Sequence, residues 1–142
     1  MLYTELTKKA IRIMFDSHKD QVDKNGLPYV FHPFHLAEQM DDEESICVAL
    51  LHDVIEDTSL TFEELTSYGF NEKIMEALKL LTHEENVEYM DYVKKIKINP
   101  LAKKVKLADL KHNSDLTRLD QIDNYTLERC AKYKAAIKYL EE

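Results

Sequence analysis

The sequence contains few of the residues that make turns and cross-links. Its 142 residues include only 2 glycines, 3 prolines and 2 cysteines, and no tryptophan. So little glycine and proline argues against the many tight turns of an all-β fold, whereas the long runs of charged and apolar residues suit helices. We therefore predict an all-α fold.

The two cysteines, Cys47 and Cys130, are too few for a disulfide scaffold. We interpret both as reduced core residues of a cytoplasmic protein. Neither a signal peptide nor a membrane span is expected. Lys8, Lys9 and Arg12 interrupt the N-terminal segment early, and no apolar run approaches the length of about 18 residues that a span requires.

Negative charge predominates, with a formal net charge of −8. This charge argues against a nucleic-acid binder. A small anionic substrate is still compatible with it, because local lysines and a metal ion can override the overall sign. The apolar content of 44% suits a globular chain, and we expect one domain over residues 1–142. Apolar helix faces could also build a homo-oligomer.

Apolar residues recur at intervals of three and four along most of the chain, which predicts about six to eight helices. Thr61, Asn71 and Asn99-Pro100 are typical helix starts. Asn25-Gly26 indicates a turn, but its flanks do not alternate apolar and polar residues. We therefore predict a loop there instead of a hairpin, followed by a helix that His32-Pro33 opens.

The most informative stretch is 49–58, which contains five apolar and four ionisable residues. We predict one continuous helix here, capped by Asp41 or Asp42 and ending near Asp57. On such a helix each residue advances about 100°, so that His52, Asp53, Glu56 and Asp57 share one face. Three carboxylates on one face are unfavourable unless a cation or shared protons compensate them. The pattern predicts a metal ion on this face. A solvated polar face of a surface helix is the alternative interpretation.

Asp109 is the second informative position, in the apolar stripe of a helix predicted over 101–116. A carboxylate in such a stripe must find a partner or shift its pKa. Lys106 offers an ordinary explanation, an intrahelical salt bridge. Together with His32 and the His52-Asp53 pair, however, Asp109 completes a set of two imidazoles and two carboxylates. Such a set suits a first-row divalent ion such as Mn, Fe, Co or Zn.

Three segments together resemble the HD-domain metal-dependent phosphohydrolases, most closely the hydrolase domain of the RelA/SpoT proteins and the small stand-alone (p)ppGpp hydrolases. The segments are Gly26-x-Pro28-Tyr29-x-x-His32-Pro33, Leu50-Leu51-His52-Asp53-Val54-Ile55-Glu56-Asp57-Thr58 and Lys106-Leu107-Ala108-Asp109-x-x-His112-Asn113. The resemblance covers roughly residues 3–120. The His-Asp pair alone is a weak motif, but the three segments at these separations are specific.

The resemblance implies a single HD-domain helical bundle that binds one divalent ion, Mn²⁺ in these hydrolases. The ligands that it implies are His32, His52, Asp53 and Asp109. It also implies that Glu56 and Asp57 activate or orient the attacking water, and that Asn113 contacts the nucleotide sugar. The implied activity is hydrolysis of (p)ppGpp with release of pyrophosphate from the ribose 3′ position. We expect the chain to be too short for the synthetase domain of the bifunctional enzymes.

Asp23 departs from the family pattern, because an arginine that packs on the guanine is expected at this position. An aspartate cannot stack as a guanidinium does, and its charge would repel a polyphosphate. We expect Lys24 to contact the substrate instead, as a point charge. The departure leaves two alternatives open: hydrolysis of another nucleotide, or a non-catalytic metal- or nucleotide-binding module. His18 and His83 are expected on the surface.

Overall fold

The structure is a computed structural model that describes residues 1–142. It confirms the all-α prediction, since its only β-type pairing is one antiparallel bridge between Val22 and Pro28. The helices are α1 (Glu5–His18), α2 (Phe31–Glu38), α3 (Glu43–Leu51), α4 (Val54–Asp57), α5 (Phe62–Ser67), α6 (Glu72–Leu81), α7 (Tyr89–Ile98), α8 (Pro100–Asn113) and α9 (Asn124–Glu141), with a 3₁₀ helix (Leu116–Arg118) between the last two.

Capping side chains mark where several helices begin. Each accepts a hydrogen bond from a backbone N–H in the first turn, which satisfies a donor that the helix start would otherwise leave unpaired. These capping residues are Asp42, Thr61, Asn71, Asn99 and Asp123. Helix α8 ends at Asn113, three residues before the end predicted from the sequence, and Leu116 opens the 3₁₀ helix instead.

The loop between α1 and α2 is held together by Asp23. Its Oδ1 accepts hydrogen bonds from the backbone N–H groups of Asn25 at 2.8 Å and Leu27 at 3.0 Å. Gly26 has a φ of +79°, in the left-handed region that glycine adopts without strain. A single bridge between Val22 and Pro28 does not make a hairpin of two strands, in agreement with the predicted loop.

The prediction of one continuous helix through Asp57 is wrong. Helix α3 ends at Leu51, and His52 and Asp53 form a turn before the four residues of α4. The turn brings these two side chains into contact with other parts of the fold: His52 meets Asp109, and Asp53 meets Tyr29. If α3 and α4 are counted as one broken helix, the nine α-helices become eight, the upper end of the predicted range.

The core is a single cluster of 28 buried apolar residues with α3 at its centre. All residues of α3 from Ser45 to Leu51 are buried, and the helix packs against α1, α2, α6 and α8. Cys47 and Cys130 are both buried and unpaired, as predicted. No helix has the length and apolar character needed to cross a membrane.

The prediction that His18 lies on the surface is wrong, since this side chain is fully buried. Its Nδ1 is 2.9 Å from Oε1 of Gln21, and its ring packs 5.0 Å from the ring of Tyr29. These contacts attach the end of α1 to the loop that leads into the site. His83 is half-buried, with its ring stacked on Tyr92 at 4.5 Å.

Candidate metal centre and substrate cavity

Three buried side chains from separate parts of the chain meet at one point. His32 on α2, His52 in the turn after α3 and Asp109 on α8 each bring one potential ligand atom to within 4.8 Å of the others. Nε2 of His32 lies 2.9 Å from Oδ1 of Asp109, and Nε2 of His52 lies 3.5 Å from the same oxygen. We call these three residues the metal cluster.

Asp53 lies at the edge of this cluster. Its Oδ2 is 2.9 Å from Nε2 of His52 and accepts a hydrogen bond from the Tyr29 hydroxyl. It is not among the residues whose ligand atoms all lie within 4.8 Å of one another. The structure thus brings three of the four sequence-predicted ligands together and places the fourth, Asp53, beside His52.

The chemistry of His52 indicates that a cation belongs at this point. Its Nδ1–H donates to the backbone carbonyl of Ala49 at 2.7 Å, so the other ring nitrogen, Nε2, carries a lone pair in the neutral imidazole. Although Nε2 is close to the carboxylates of Asp53 and Asp109, it is buried and not aligned for a hydrogen bond. A lone pair facing two carboxylates is unfavourable unless a proton or a metal ion lies between them.

Lys106 balances part of the negative charge, since its Nζ lies 3.0 Å from Oδ2 of Asp109. Burial alone would raise the pKa of Asp109, but the ammonium group of Lys106 lowers it well below its usual range. Asp109 is therefore ionised at neutral pH. The intrahelical salt bridge considered as an ordinary explanation is present, and it coexists with the contacts to the two histidines.

His112 orients His32 through the ring nitrogen of His32 that does not face Asp109. The Nδ1 atoms of the two rings are 2.7 Å apart, and the rings stack with centroids 4.9 Å apart. Burial and the nearby Arg118 lower the pKa of His112 to about 4, so its ring is neutral at neutral pH and can accept the Nδ1–H of His32. Such a bond holds Nε2 of His32 toward Asp109, as expected for the outer partner of a metal-binding histidine.

The two predicted catalytic carboxylates occupy different surroundings. Glu56 accepts a hydrogen bond from the backbone N–H of His83 and lines a chamber of about 130 Å³ next to His52, Asp53 and Asp109. Asp57 does not line this chamber, and its backbone carbonyl accepts a hydrogen bond from Gln21 at 3.2 Å. Partial burial raises the pKa of both carboxyl groups.

A larger cavity of about 330 Å³ adjoins the chamber and shares Asn113 and Tyr133 with it. Three cations line this larger cavity: Lys24, Arg118 and Arg129. The two arginines were not identified from the sequence. The spacing of Arg129 and Tyr133 was an available signal, because residues four apart share a helix face, and here the guanidinium donates to the phenol at 2.8 Å.

The partners of Asp23 reduce the repulsion that is expected between its carboxylate and a polyphosphate. Besides the two backbone N–H groups, its carboxylate faces Nη2 of Arg118 at 3.7 Å. Lys24 is exposed and lines the larger cavity, with its Nζ 5.4 Å from the centre of the Tyr125 ring. Asn113 lies between the two spaces, where its side-chain amide donates to Oδ1 of Asp109 at 3.0 Å.

Comparison with known proteins gives sequence relatives along most of the chain, although no protein-family model matches. The guanosine-3′,5′-bis(diphosphate) 3′-pyrophosphohydrolase MESH1 of Danio rerio is 30% identical over an alignment of 144 positions, which covers 92% of the chain and 79% of that relative. The guanosine-3′,5′-bis(diphosphate) 3′-pyrophosphohydrolase of Aquifex aeolicus is 34% identical over 91 residues. That match covers 61% of the chain, and the chain spans only 13% of that longer relative.

A solved structure supports the fold independently. It is that of a metazoan ortholog of SpoT that hydrolyzes ppGpp, and it matches 99% of the chain and 85% of its own length with a TM-score of 0.78. At 23% sequence identity this likeness shows the fold alone. The family follows from the match to MESH1, which extends over nearly the whole sequence. The chain belongs to the family of guanosine-3′,5′-bis(diphosphate) 3′-pyrophosphohydrolases and has their HD-type helical fold.

Proposed function

We propose that the chain hydrolyses guanosine 3′,5′-bis(diphosphate) and related nucleotides at the ribose 3′ position and releases pyrophosphate. The observation that carries this proposal is the buried cluster of His32, His52 and Asp109, in a chain whose relatives are named for this activity. Acidic and imidazole donors at one buried point suit phosphoryl chemistry, in which charge must be neutralised.

The proposed metal ligands are His32, His52, Asp53 and Asp109. Their mixed nitrogen and oxygen donors fit a first-row divalent ion, and we propose Mn²⁺. When bound, such an ion polarises a phosphoryl oxygen and makes water more acidic. The lone pair of His52 and the ionised Asp109 are then matched by positive charge, as their surroundings require.

Glu56 is the proposed proton acceptor for the attacking water. It lines the chamber beside Asp53 and Asp109, and its raised pKa makes it a stronger base than an ordinary glutamate. In the reaction the water oxygen bonds to the phosphorus attached to the ribose, and the bond from that phosphorus to the 3′ oxygen breaks. The 3′ oxygen takes up a proton and remains on the nucleoside. Asp57, held near the loop through Gln21, has a supporting role.

We place the nucleoside and its 5′ phosphates in the larger cavity. Its cations offset the overall negative charge of the chain at this point. Lys24 and Arg129 are the proposed phosphate contacts, and Asn113, at the junction with the chamber, is the proposed sugar contact. Bidentate arginine is well suited to phosphate, whereas lysine acts as a point charge.

A second candidate function is hydrolysis of another nucleotide by the same centre, and Asp23 at the cavity wall favours it. The presence of Glu56 beside the cluster argues against a purely non-catalytic binding module. We further propose that residues 1–142 act as one domain in the cytoplasm. Formation of a homo-oligomer stays a prediction.

The decisive experiment supplies metal-free protein with Mn²⁺ and follows pyrophosphate release from ppGpp and from a panel of other nucleotides. We expect release from ppGpp, dependence on the added metal, and little turnover of nucleoside monophosphates. The Glu56→Gln variant serves as a control for contaminating hydrolases. Turnover of a different nucleotide would favour the second candidate, and metal binding without any turnover would favour the binding module.

A further inference from the structure

A buried tyrosine hydroxyl beside the metal cluster has no role in the chemistry described above. Tyr89 is the first residue of α7 and lines the chamber together with Glu56, Lys106 and Asp109. Its hydroxyl is buried and makes no hydrogen bond to the rest of the protein. Because burying an unpaired hydroxyl is unfavourable, this phenol is a candidate donor to a ligand in the chamber.

A positive charge lines the same chamber. Nζ of Lys106 bonds to Asp109 at 3.0 Å and lies 5.2 Å from the centre of the Tyr92 ring, inside the same chamber. An ammonium group has three N–H donors, so those not bonded to Asp109 are available to another acceptor. Tyr89 and Lys106 both line this small chamber, and a hydroxyl together with an ammonium group suits an anion.

The phenol of Tyr89 is also in the correct protonation state and held in place. Burial raises its pKa, so the hydroxyl keeps its proton at neutral pH and can donate it. Nζ of Lys132 lies 4.0 Å from the centre of the ring, and the ring packs near those of His83 and Tyr92. A ring fixed by such contacts loses little freedom when its hydroxyl binds a ligand.

We propose that the hydroxyl of Tyr89 and the ammonium of Lys106 bind the distal phosphate of the diphosphate group that is transferred to water. This inference rests on the proposed function and deepens it. The metal cluster and Glu56 act on the phosphorus attached to the ribose. Tyr89 and Lys106 bind the second phosphate when the substrate has one. The chamber thereby favours a 3′-diphosphate over a 3′-monophosphate.

Tyr92 offers a matched comparison on the same helix. It also lines the chamber, but its hydroxyl already donates to the backbone carbonyl of Leu81 at 2.7 Å. Removing that hydroxyl should lower stability without changing the preference between diphosphate and monophosphate. Removing the hydroxyl of Tyr89, which has no partner to lose, should change the preference and leave stability unaltered.

The test compares Tyr89→Phe and Tyr92→Phe with the unaltered protein in the Mn²⁺-loaded state. Steady-state kinetics use ppGpp and the analogue with a single 3′ phosphate. Calorimetry measures the binding of inorganic pyrophosphate and of inorganic phosphate. For Tyr89→Phe we expect about a tenfold to hundredfold loss of kcat/KM with ppGpp and a similar loss of pyrophosphate affinity, the size of one hydrogen bond to a charged group. The values for the monophosphate and for phosphate should not change.

The outcomes separate this inference from the proposed function. In one outcome Tyr89→Phe still hydrolyses ppGpp and still prefers the diphosphate substrate over the monophosphate and pyrophosphate over phosphate. That result would overturn the inference and leave the function standing. Loss of pyrophosphate affinity in a protein that does not hydrolyse ppGpp would reject the function and keep the anion site. Equal losses for the diphosphate and monophosphate ligands, or the same change of preference in Tyr92→Phe, would show a general structural role and also overturn the inference.

Discussion

The metal cluster and the larger cavity are neighbours with opposite physical character. His32, His52 and Asp109 are only 5%, 4% and 5% exposed, and core helices position all three. The cavity is lined by exposed residues of the α1–α2 loop, such as Lys24, and by residues of the 3₁₀ helix and α9. A change at a cluster residue therefore disturbs the core, whereas a change at an exposed residue of the cavity wall, such as Lys24, alters only local contacts.

This difference explains how the chain can hold the cluster while a residue of the cavity wall departs from the expected pattern. Helices α2, α3 and α8 pack on one another, so the cluster is built by the same contacts that build the core. The cavity wall contributes little to that core. Asp23 can stand where the family resemblance leads us to expect an arginine, because its carboxylate accepts hydrogen bonds from the backbone of Asn25 and Leu27 and pairs with Arg118.

The strongest test of the comparison is Asp109→Ala, which should abolish both activity and metal content. It should also destabilise the fold by about 3–5 kcal/mol, because Lys106 would remain buried without a counter-charge. Metal analysis, the pyrophosphate assay and urea unfolding measure the three effects. In the double variant Asp109→Ala/Lys106→Met, stability should recover while metal binding does not. Full metal occupancy in Asp109→Ala would mean that the cluster is not the metal site.

Glu56→Gln should lower kcat by about 10²–10⁴-fold, the usual contribution of a general base, while metal content stays unchanged. Glu56 lines the chamber but donates no atom to the metal cluster. Asp57→Asn is the matched comparison and should cost less, because Asp57 does not line the chamber. Loss of metal from Glu56→Gln would show that this carboxylate is a ligand and not a base.

The same carboxylate predicts a pH dependence. Burial raises the pKa of Glu56 above the ordinary glutamate value of about 4.3, and bound Mn²⁺ would lower it again. As pH falls through the pKa of Glu56 in the loaded enzyme, the base takes up its proton and kcat should decline tenfold per unit, whereas above this pKa kcat should be level. A profile of kcat with saturating Mn²⁺ measures this limb. If the acidic limb remained in Glu56→Gln, the titration would belong to another group.

Sequence reasoning succeeded where local rules decide the outcome. Capping residues such as Asn71 and Asn99 placed helix starts, and the all-α class followed from composition and periodicity. The break at His52-Asp53 was missed because helix propensity is a local preference, whereas contacts with Tyr29 and Asp109 accompany this turn. Long-range packing overrides the local pattern at the functional site, where such exceptions are expected.

Other parts of the site could not be deduced from the sequence because they depend on how distant segments pack. The burial of His18 depends on the loop that folds back over the end of α1 and brings Tyr29 against its ring. Arg118 and Arg129 reach the cavity from a segment that has no recognisable motif. Tyr89 resembles any other aromatic residue at the start of a helix until the structure shows that it lines the chamber and that its buried hydroxyl has no partner.

Arg129→Gln should weaken substrate binding without affecting the chemistry. Arg129 lines the larger cavity, is not a member of the metal cluster, and donates to the hydroxyl of Tyr133 at 2.8 Å. Losing a charged donor to phosphate should raise KM for ppGpp by about tenfold or more, with kcat and metal content unchanged. Arg129→Lys keeps the charge and should recover part of the loss. A fall in kcat with unchanged KM would contradict the proposed role.

Asp23→Asn should have the smallest effect and tests whether the cavity wall can change independently of the core. An asparagine Oδ1 can still accept from the backbone N–H groups of Asn25 and Leu27, so the turn should survive. The contact with Arg118 is partly exposed, and its loss should alter stability by less than about 1 kcal/mol.

The same substitution removes a negative charge from the wall of a cavity proposed to hold phosphates. KM for ppGpp should fall a few-fold, and more at low salt than at high salt, because screening weakens the repulsion in the unaltered protein. Asp23→Ala separates the two roles of this side chain, since it removes the charge and also the acceptor that holds the turn. If Asp23→Asn raises KM instead, then the carboxylate itself contacts the nucleotide. In that case Asp23 contributes to substrate specificity together with the cations of the cavity wall.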